Sequence, residues 1–309
     1  MNDIKYFLCP MSKNIVDAVL QLNRTDIGLL PSRRQVDFDG GYVGWNTETF
    51  SKYVDKKVVL ERDHGGEGQG RLYDDGKDSY RSDALHMDIV HVDPWKTCLT
   101  REEGLKKTLK EVMFVHNLNP KLRFEVGTEQ ALFTLSSSDL RWFLTELRTN
   151  LPDYVFEKIE YVVIQSGVHL DVVNEKNVGR FNLQKLIHEV SLCKDFGKKS
   201  KEHNGDFLNS AQRKIRFENG LSAINIGPEL SIFENSLYIQ HLSKNELDEY
   251  NKICYDSGVW KKWITNPEHE NIPNIFMKVC GHYNYYKMIL PEIGVVELLK
   301  EKILHMVNE

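Results

Sequence analysis

Short apolar runs recur along the chain at intervals that suit alternating strands and helices. Eight are found: Ile4–Cys9, Ile27–Pro31, Val58–Asp63, Ile89–Asp93, Arg123–Gly127, Tyr161–Gln165, Lys198–Glu202 and Ala223–Ile226. Runs of four to six apolar or β-branched residues bounded by glycine or polar residues read as buried strands. The seventh is basic and is the weakest of the set. Between them, Lys13–Asn23, Arg101–Val115, Ser138–Asn150 and Leu183–Phe196 carry apolar residues at three-and-four spacing, the pattern of helices packed on a sheet. Ser138 or Asp139 is the expected N-cap of its helix.

Strand and helix alternating eight times over about 230 residues, without a long antiparallel signature, predict a TIM-type (β/α)8 barrel, an α/β fold. The barrel is expected to occupy residues 1–240. From about Gln240 the pattern changes. Asn245–Tyr255 and Gly294–Val307 read as helices around an aromatic, turn-rich stretch, so residues 241–309 are expected to form a C-terminal helical appendix packed on the barrel. It would close one end of the barrel or form a subunit contact, with Gly281-His282-Tyr283 as a loop near the site.

The 309 residues allow one large barrel, and a formal net charge of −5 with 28% charged residues shows no basic stripe. That argues against nucleic acid or an anionic membrane as partner, and for a small molecule. No apolar run approaches the roughly 20 residues of a membrane span, and the start MNDIKYFLCPMSKN lacks a secretory layout, so a cytoplasmic location is expected. Five scattered cysteines with no C-x-x-C spacing argue for reduced, buried thiols rather than disulfides or thiolate zinc sites. The glycine-rich Gly65–Gly70 does not fit G-x-G-x-x-G, and no P-loop occurs.

A barrel of this type gathers its chemistry at the carboxyl ends of its strands. Those positions are polar here: Arg33 and Arg34 after the second strand, Asp63 and His64 after the third, Asp93 after the fourth, Glu125 and Glu129 on the fifth. Ser166 and His169 follow the sixth, His203 and Asn204 the seventh, and Asn225 stands on the eighth. Three histidines and several carboxylates at one mouth suit a divalent metal with an open position for a substrate oxygen. Such a metal beside an unligated carboxylate stabilises the enolate of a hydroxyketone. Asp63, next to His64 and too short to compete for the metal, is the natural proton shuttle. His91, two residues before Asp93, could point the same way and is kept in reserve. The other histidines are read as structural, and Glu125 could equally balance an arginine within the barrel.

Eight ordered segments, YFLCPMSKNIVDAVL, LLPSRRQVDFDGGYVGWNTETF, RDHGG, IVHVDPWKT, EVGTE, VVIQSGVHLD, EHNGDFL and INIGPELSIFENSLY, resemble the tagatose-bisphosphate aldolase accessory (non-catalytic) subunits, relatives of the zinc-dependent class II ketose-bisphosphate aldolases. The resemblance covers nearly the whole chain. It implies that Asp63 is the acid/base, that His64, His169 and His203 bind Zn2+ or another divalent metal, and that Asn225 holds the ketone. Glu129 completes the catalytic candidates, and Arg33, Arg34, Asp93, Glu125, Asn204 and Gly227 are the substrate-binding candidates. His169 is followed by Leu170-Asp171, and His203 by Asn204-Gly205-Asp206, where catalytic relatives have glycine-rich, serine-containing phosphate loops; the added acids argue against a bisphosphate. The expected function is a metal-dependent sugar aldolase, a lyase acting on a ketose or ketose derivative. The alternatives are a ketose epimerase using the same metal and base, a non-catalytic subunit stabilising a partner aldolase, and a metal-free lyase or isomerase. A homo-oligomer or a complex with a related aldolase subunit is expected.

Overall fold

A computed structural model describes residues 3–129 and 136–308. Eight parallel strands form the sheet: β1 (Tyr6–Leu8), β2 (Ile27–Leu29), β3 (Glu61–Gly65), β4 (Ile89–Val92), β5 (Arg123–Val126), β6 (Ile159–Ile164), β9 (Lys199–Glu202) and β10 (Ala223–Ile226). Their order is β2-β1-β10-β9-β6-β5-β4-β3. Parallel bridges from Leu29 to Leu60 and from Ser32 to Asp63 join the two edges, so the sheet closes into a TIM-type barrel. Each of the eight expected runs overlaps one strand, with β3 running on to Gly65 and β6 beginning earlier, at Ile159.

Strands covered on both faces read as continuous apolar runs, as in IVHV and IEYVVI. Two strands break that rule. ERDHG of β3 and KSKE of β9 are charged, yet Glu61, Arg62, Lys201 and Glu202 have no exposed surface. Alternation along each strand sends Arg62 and Glu202 outward, where Arg62 pairs with Asp83 at 2.7 Å and Glu202 with Arg216 at 2.8 Å, and sends Glu61 and Lys201 inward. Inside the barrel Lys201 Nζ bridges Glu61 (2.7 Å) and Glu125 (2.9 Å) and lies 3.8 Å from the centre of the Phe7 ring. Charges at this depth persist only when paired. One packing layer of the barrel is therefore ionic, and the next layer toward the carboxyl ends carries Asp63, His91, His203 and Asn225.

The helix expected from Ser138 runs Ser137–Asn150 and is capped by Ser136, not by Ser138 or Asp139. Ser136 Oγ accepts the Asp139 N–H at 3.2 Å while Asp139 returns a carboxylate to the Ser136 N–H at 2.9 Å, a reciprocal box that fixes the cap two residues before Ser138. After β6 the chain makes a small antiparallel ribbon, β7 (Leu170–Asp171) with β8 (Lys176–Asn177), which the polar sequence did not suggest. All five cysteines are buried and unpaired.

Beyond residue 240, helices span Lys244–Asp256, Ile275–Cys280 and Val295–Asn308 with short 3-10 turns between them. The last packs on helices Lys13–Leu22 and Pro228–His241. The turns Val259–Lys262 and Gly281–Lys287 lie at the carboxyl-end mouth, where the Tyr283 ring rests 4.1 Å from that of Tyr42.

Candidate metal and substrate site

The third strand ends irregularly. Its register against β4 shifts between Arg62 and Gly65, and His64 takes a left-handed φ of 44°. A bulge of this kind re-aims a side chain, and the strain of a non-glycine residue there persists only where the surroundings enforce it. Here it turns His64 toward the barrel axis beside His91 and His203. The three ring centres form a nearly equilateral triangle with sides of 5.0, 5.2 and 5.0 Å.

Each imidazole has a buried acceptor behind it. His64 Nδ1 is 2.6 Å from Asp93, His91 Nε2 is 2.9 Å from the Gly127 carbonyl, and His203 Nε2 is 2.9 Å from Glu125. These buried partners are acceptors, so the tied nitrogen carries the proton and the opposite one is left with the lone pair whenever the ring is neutral. The opposite atoms are His64 Nε2, His91 Nδ1 and His203 Nδ1, of which His91 Nδ1 also accepts the His64 backbone N–H at 3.3 Å. Ligand atoms of Asp63, His64, His91 and His203 all lie within 4.8 Å of one another. Glu129 spans the opening, 3.1 Å from both His64 Nε2 and His203 Nδ1.

The donor set fits a metal. Three imidazoles at tetrahedral angles around an ion, with metal–nitrogen distances of about 2.0–2.1 Å, place their ring centres about 5.2 Å apart, close to the observed triangle. The buried acceptors behind the rings are the arrangement that orients histidine ligands and raises their basicity. Without the ion, the same field acts on protons. Burial works against a charged His64, but Asp63, Glu129 and Asp93 outweigh it and hold its pKa well above the usual value. Against the same penalty, Glu129 and Glu125 raise His203 to about 10. Burial prevails at His91, which is lowered. Burial also opposes ionisation of Glu129, yet the two imidazoles hold it well below the carboxylate range.

The structure redistributes several expected roles. His169 is exposed on the approach to the ribbon, its carbonyl accepting from the Val178 N–H at 2.8 Å, and it stands outside the cluster; His91 supplies the third imidazole. Arg33 is 1% exposed and its guanidinium is consumed by Asp37, Asp74 and the Gly66 carbonyl, so it cannot receive substrate. Asp93 and Glu125 are fully buried behind His64 and His203, where they orient rings instead of binding substrate. Asp63, His64, Glu129, Arg34, Asn204, Asn225 and Gly227 do line a common cavity of about 400 Å³, with His203. The Asn225 side chain is 5% exposed, and neither its oxygen nor its nitrogen has a hydrogen-bond partner among the described residues. Buried side-chain amides are seldom left without partners, which marks Asn225 as a candidate binding group.

Sequence reasoning missed Lys96 and Lys262, which line the same cavity; Tyr283, from the loop expected near the site, lines it too. The only sequence signal for Lys262 is its place in the aromatic WKKW stretch of the tail, which reads as packing.

No protein-family model and no curated protein matches the sequence. Solved structures do match in fold. A protein described as a probable tagatose 6 phosphate kinase from Sinorhizobium meliloti 1021 superposes with a TM-score of 0.75 at 15% identity, over 99% of this chain and 88% of its own. The YdjI aldolase from Escherichia coli K12 gives 0.56 at 13% identity, over 99% and 91%. The fructuronate-tagaturonate epimerase UxaE from Cohnella laeviribosi gives 0.62 at 10% identity, over 97% and 77%. The chain thus shares its barrel fold with an aldolase and an epimerase, and the accessory-subunit resemblance rests on its motifs.

Proposed function

We propose that the protein is a metal-dependent enzyme acting beside the carbonyl of a ketose or ketose derivative, by aldol cleavage and addition. The observation that carries this reading is the imidazole triangle, each ring backed by a buried acceptor, with the Asp63 carboxylate on the cavity wall. His64, His91 and His203 would hold a divalent metal such as zinc, which supplies Lewis acidity that polarises a ketone.

The chain's own groups do the rest. Asn225, with both amide atoms unsatisfied, receives the carbonyl or a neighbouring hydroxyl and fixes the substrate in the cavity. Asp63 takes the proton from the hydroxyl on the far carbon of the bond to be cleaved, the carbon β to the ketone. That oxygen becomes the new aldehyde, the carbon–carbon bond breaks, and its electron pair passes into the enolate of the ketone fragment. A proton returned to the enolate carbon, from Asp63 or from Glu129 across the opening, completes the turnover. Reversal with re-addition to the opposite face would epimerise the substrate with the same groups, a reading favoured by the shared fold of the epimerase.

The test is metal analysis of the dialysed protein, followed by product analysis with free, phosphorylated and acidic ketoses. About one metal per chain and Asp63-dependent formation of an aldehyde and a shorter ketone support aldol cleavage; a single isomeric product assigns epimerisation. Absence of metal together with co-purification of a second barrel protein would replace both with the partner-subunit role.

A further inference from the structure

In barrels of this type a phosphate is commonly held at loops after the last two strands, by backbone N–H groups at a helix N-terminus. Here that position is filled by the chain itself. The Asp206 carboxylate accepts the N–H groups of Gly227 (2.9 Å) and Glu229 (2.8 Å) at the start of helix Pro228–His241, and Glu229 in turn accepts the Phe207 N–H at 2.7 Å. The donors are satisfied, and two carboxylates stand where an anion would have to come.

Positive charge is gathered on another part of the cavity wall. Arg34 from the loop after β2, Lys96 from the turn after β4 and Lys262 from the C-terminal segment all line it. None has a carboxylate within ion-pair distance among the described residues, whereas the neighbouring Arg33 is saturated by two. Lys96 makes only a 3.4 Å contact to the Gly68 carbonyl, and Lys262 Nζ lies 4.3 Å from the centre of the Trp263 ring. Lys262 is exposed at the mouth, with the cavity wall beside it. Desolvation and the nearby Arg34 lower its pKa to about 8, and Lys96 is lowered by the same two influences. Three mutually repelling cations on one concave wall, with no carboxylate in ion-pair contact, are relieved when a ligand supplies negative charge between them.

We propose that Arg34, Lys96 and Lys262 form the site that grips an oxyanion carried by the sugar, phosphate or carboxylate, in place of the backbone nest at Gly227 and Glu229. The assignment deepens the function proposed above and rests on the same cavity being the reaction site. It makes the substrate an anionic ketose and makes the C-terminal segment part of the substrate-binding wall. Charge-assisted contacts from a guanidinium and two ammonium groups suit either oxyanion.

The test is equilibrium titration of the full-length, chelator-treated protein with inorganic phosphate and, separately, with glycolate, read by tryptophan fluorescence at fixed ionic strength. Saturable binding of at least one anion is expected, with each of Arg34→Gln, Lys96→Gln and Lys262→Gln weakening it at least fivefold at unchanged thermal midpoint. Lys262→Arg should retain it. Tighter phosphate binding assigns a sugar phosphate, and tighter glycolate binding a sugar acid. The proposal is overturned if neither anion saturates, if the variants bind as the parent does, or if only Asp206→Asn changes phosphate affinity. His203→Ala separates the two readings: anion binding that survives there while metal retention and turnover fail for the parent protein would remove the metal-enzyme function and leave this site standing.

Discussion

The Asp93 carboxylate stands 2.6 Å from His64 Nδ1 with no exposed surface of its own, so it can act on a metal only through the ring it orients. Replacing such a partner typically costs 10–100-fold in metal affinity. Asp93→Asn keeps an oxygen that can accept the Nδ1 proton but removes the charge. We expect zinc affinity to fall about 10–100-fold with stoichiometry restored at saturating metal, measured by competition with a chromophoric chelator. An unchanged affinity would separate Asp93 from the metal site.

His91 and His169 make opposite predictions. His91→Ala should abolish tight retention of metal on dialysis, because it removes one corner of the 5 Å triangle. His169→Ala should retain about one metal per chain, because His169 lies exposed outside the cluster. The reverse pattern in elemental analysis would restore His169 as the ligand.

The sequence made the barrel legible for a physical reason: strands buried on both faces read as apolar runs, and eight of them at regular spacing allow few other folds. Lys199–Glu202 was the hardest to read because the partners that neutralise Lys201, Glu61 and Glu125, lie 140 and 76 residues away. The Asp63–His64 pair was legible from its place at a strand end. The choice of His169 over His91 was not, because it depends on a ribbon after β6 that draws His169 outward and on strand parity that turns His91 inward. Lys262 was hidden for a similar reason: it reaches the mouth through a segment that follows the barrel and carries no strand-end signal.

The ionic layer beneath the site gives a stability prediction. Removing one member of a buried charge network typically costs about 3–5 kcal/mol, since the remaining charges lose their partner without regaining water. Lys201→Met leaves Glu61 and Glu125 facing each other inside the barrel. Burial already raises Glu61, while Lys201, His91 and His203 outweigh burial to hold Glu125 well below the carboxylate range. Urea unfolding at pH 7 should show a loss of about 3–5 kcal/mol, partly recovered by adding Glu61→Gln. A loss below about 1 kcal/mol would mean that the layer contributes little net stabilisation.

Glu234 couples the first helix to the helix after β10, and its pH dependence has a definite sign. It accepts the Ser12 hydroxyl at 2.5 Å and the Asn14 amide at 2.7 Å, is fully buried, and has no cation beside it; burial raises its pKa from 4.5 to about 7. Below 4.5 the group is protonated in folded and unfolded chains alike, and its contribution is intact. As the pH rises toward 7 only the unfolded chain releases the proton, so stability is lost, by about 3 kcal/mol for a shift of this size. Above 7 both forms are ionised and the loss is constant. Glu234→Gln keeps an acceptor for Asn14 and a donor for Ser12 without titrating. The stability difference, variant minus parent, should therefore rise between pH 4.5 and 7 and then level off, a comparison in which the similarly raised Glu111 and Asp206 cancel. Denaturant midpoints taken at half-unit intervals measure it. A flat difference across that range would show that Glu234 ionises in the folded protein as readily as in the unfolded one.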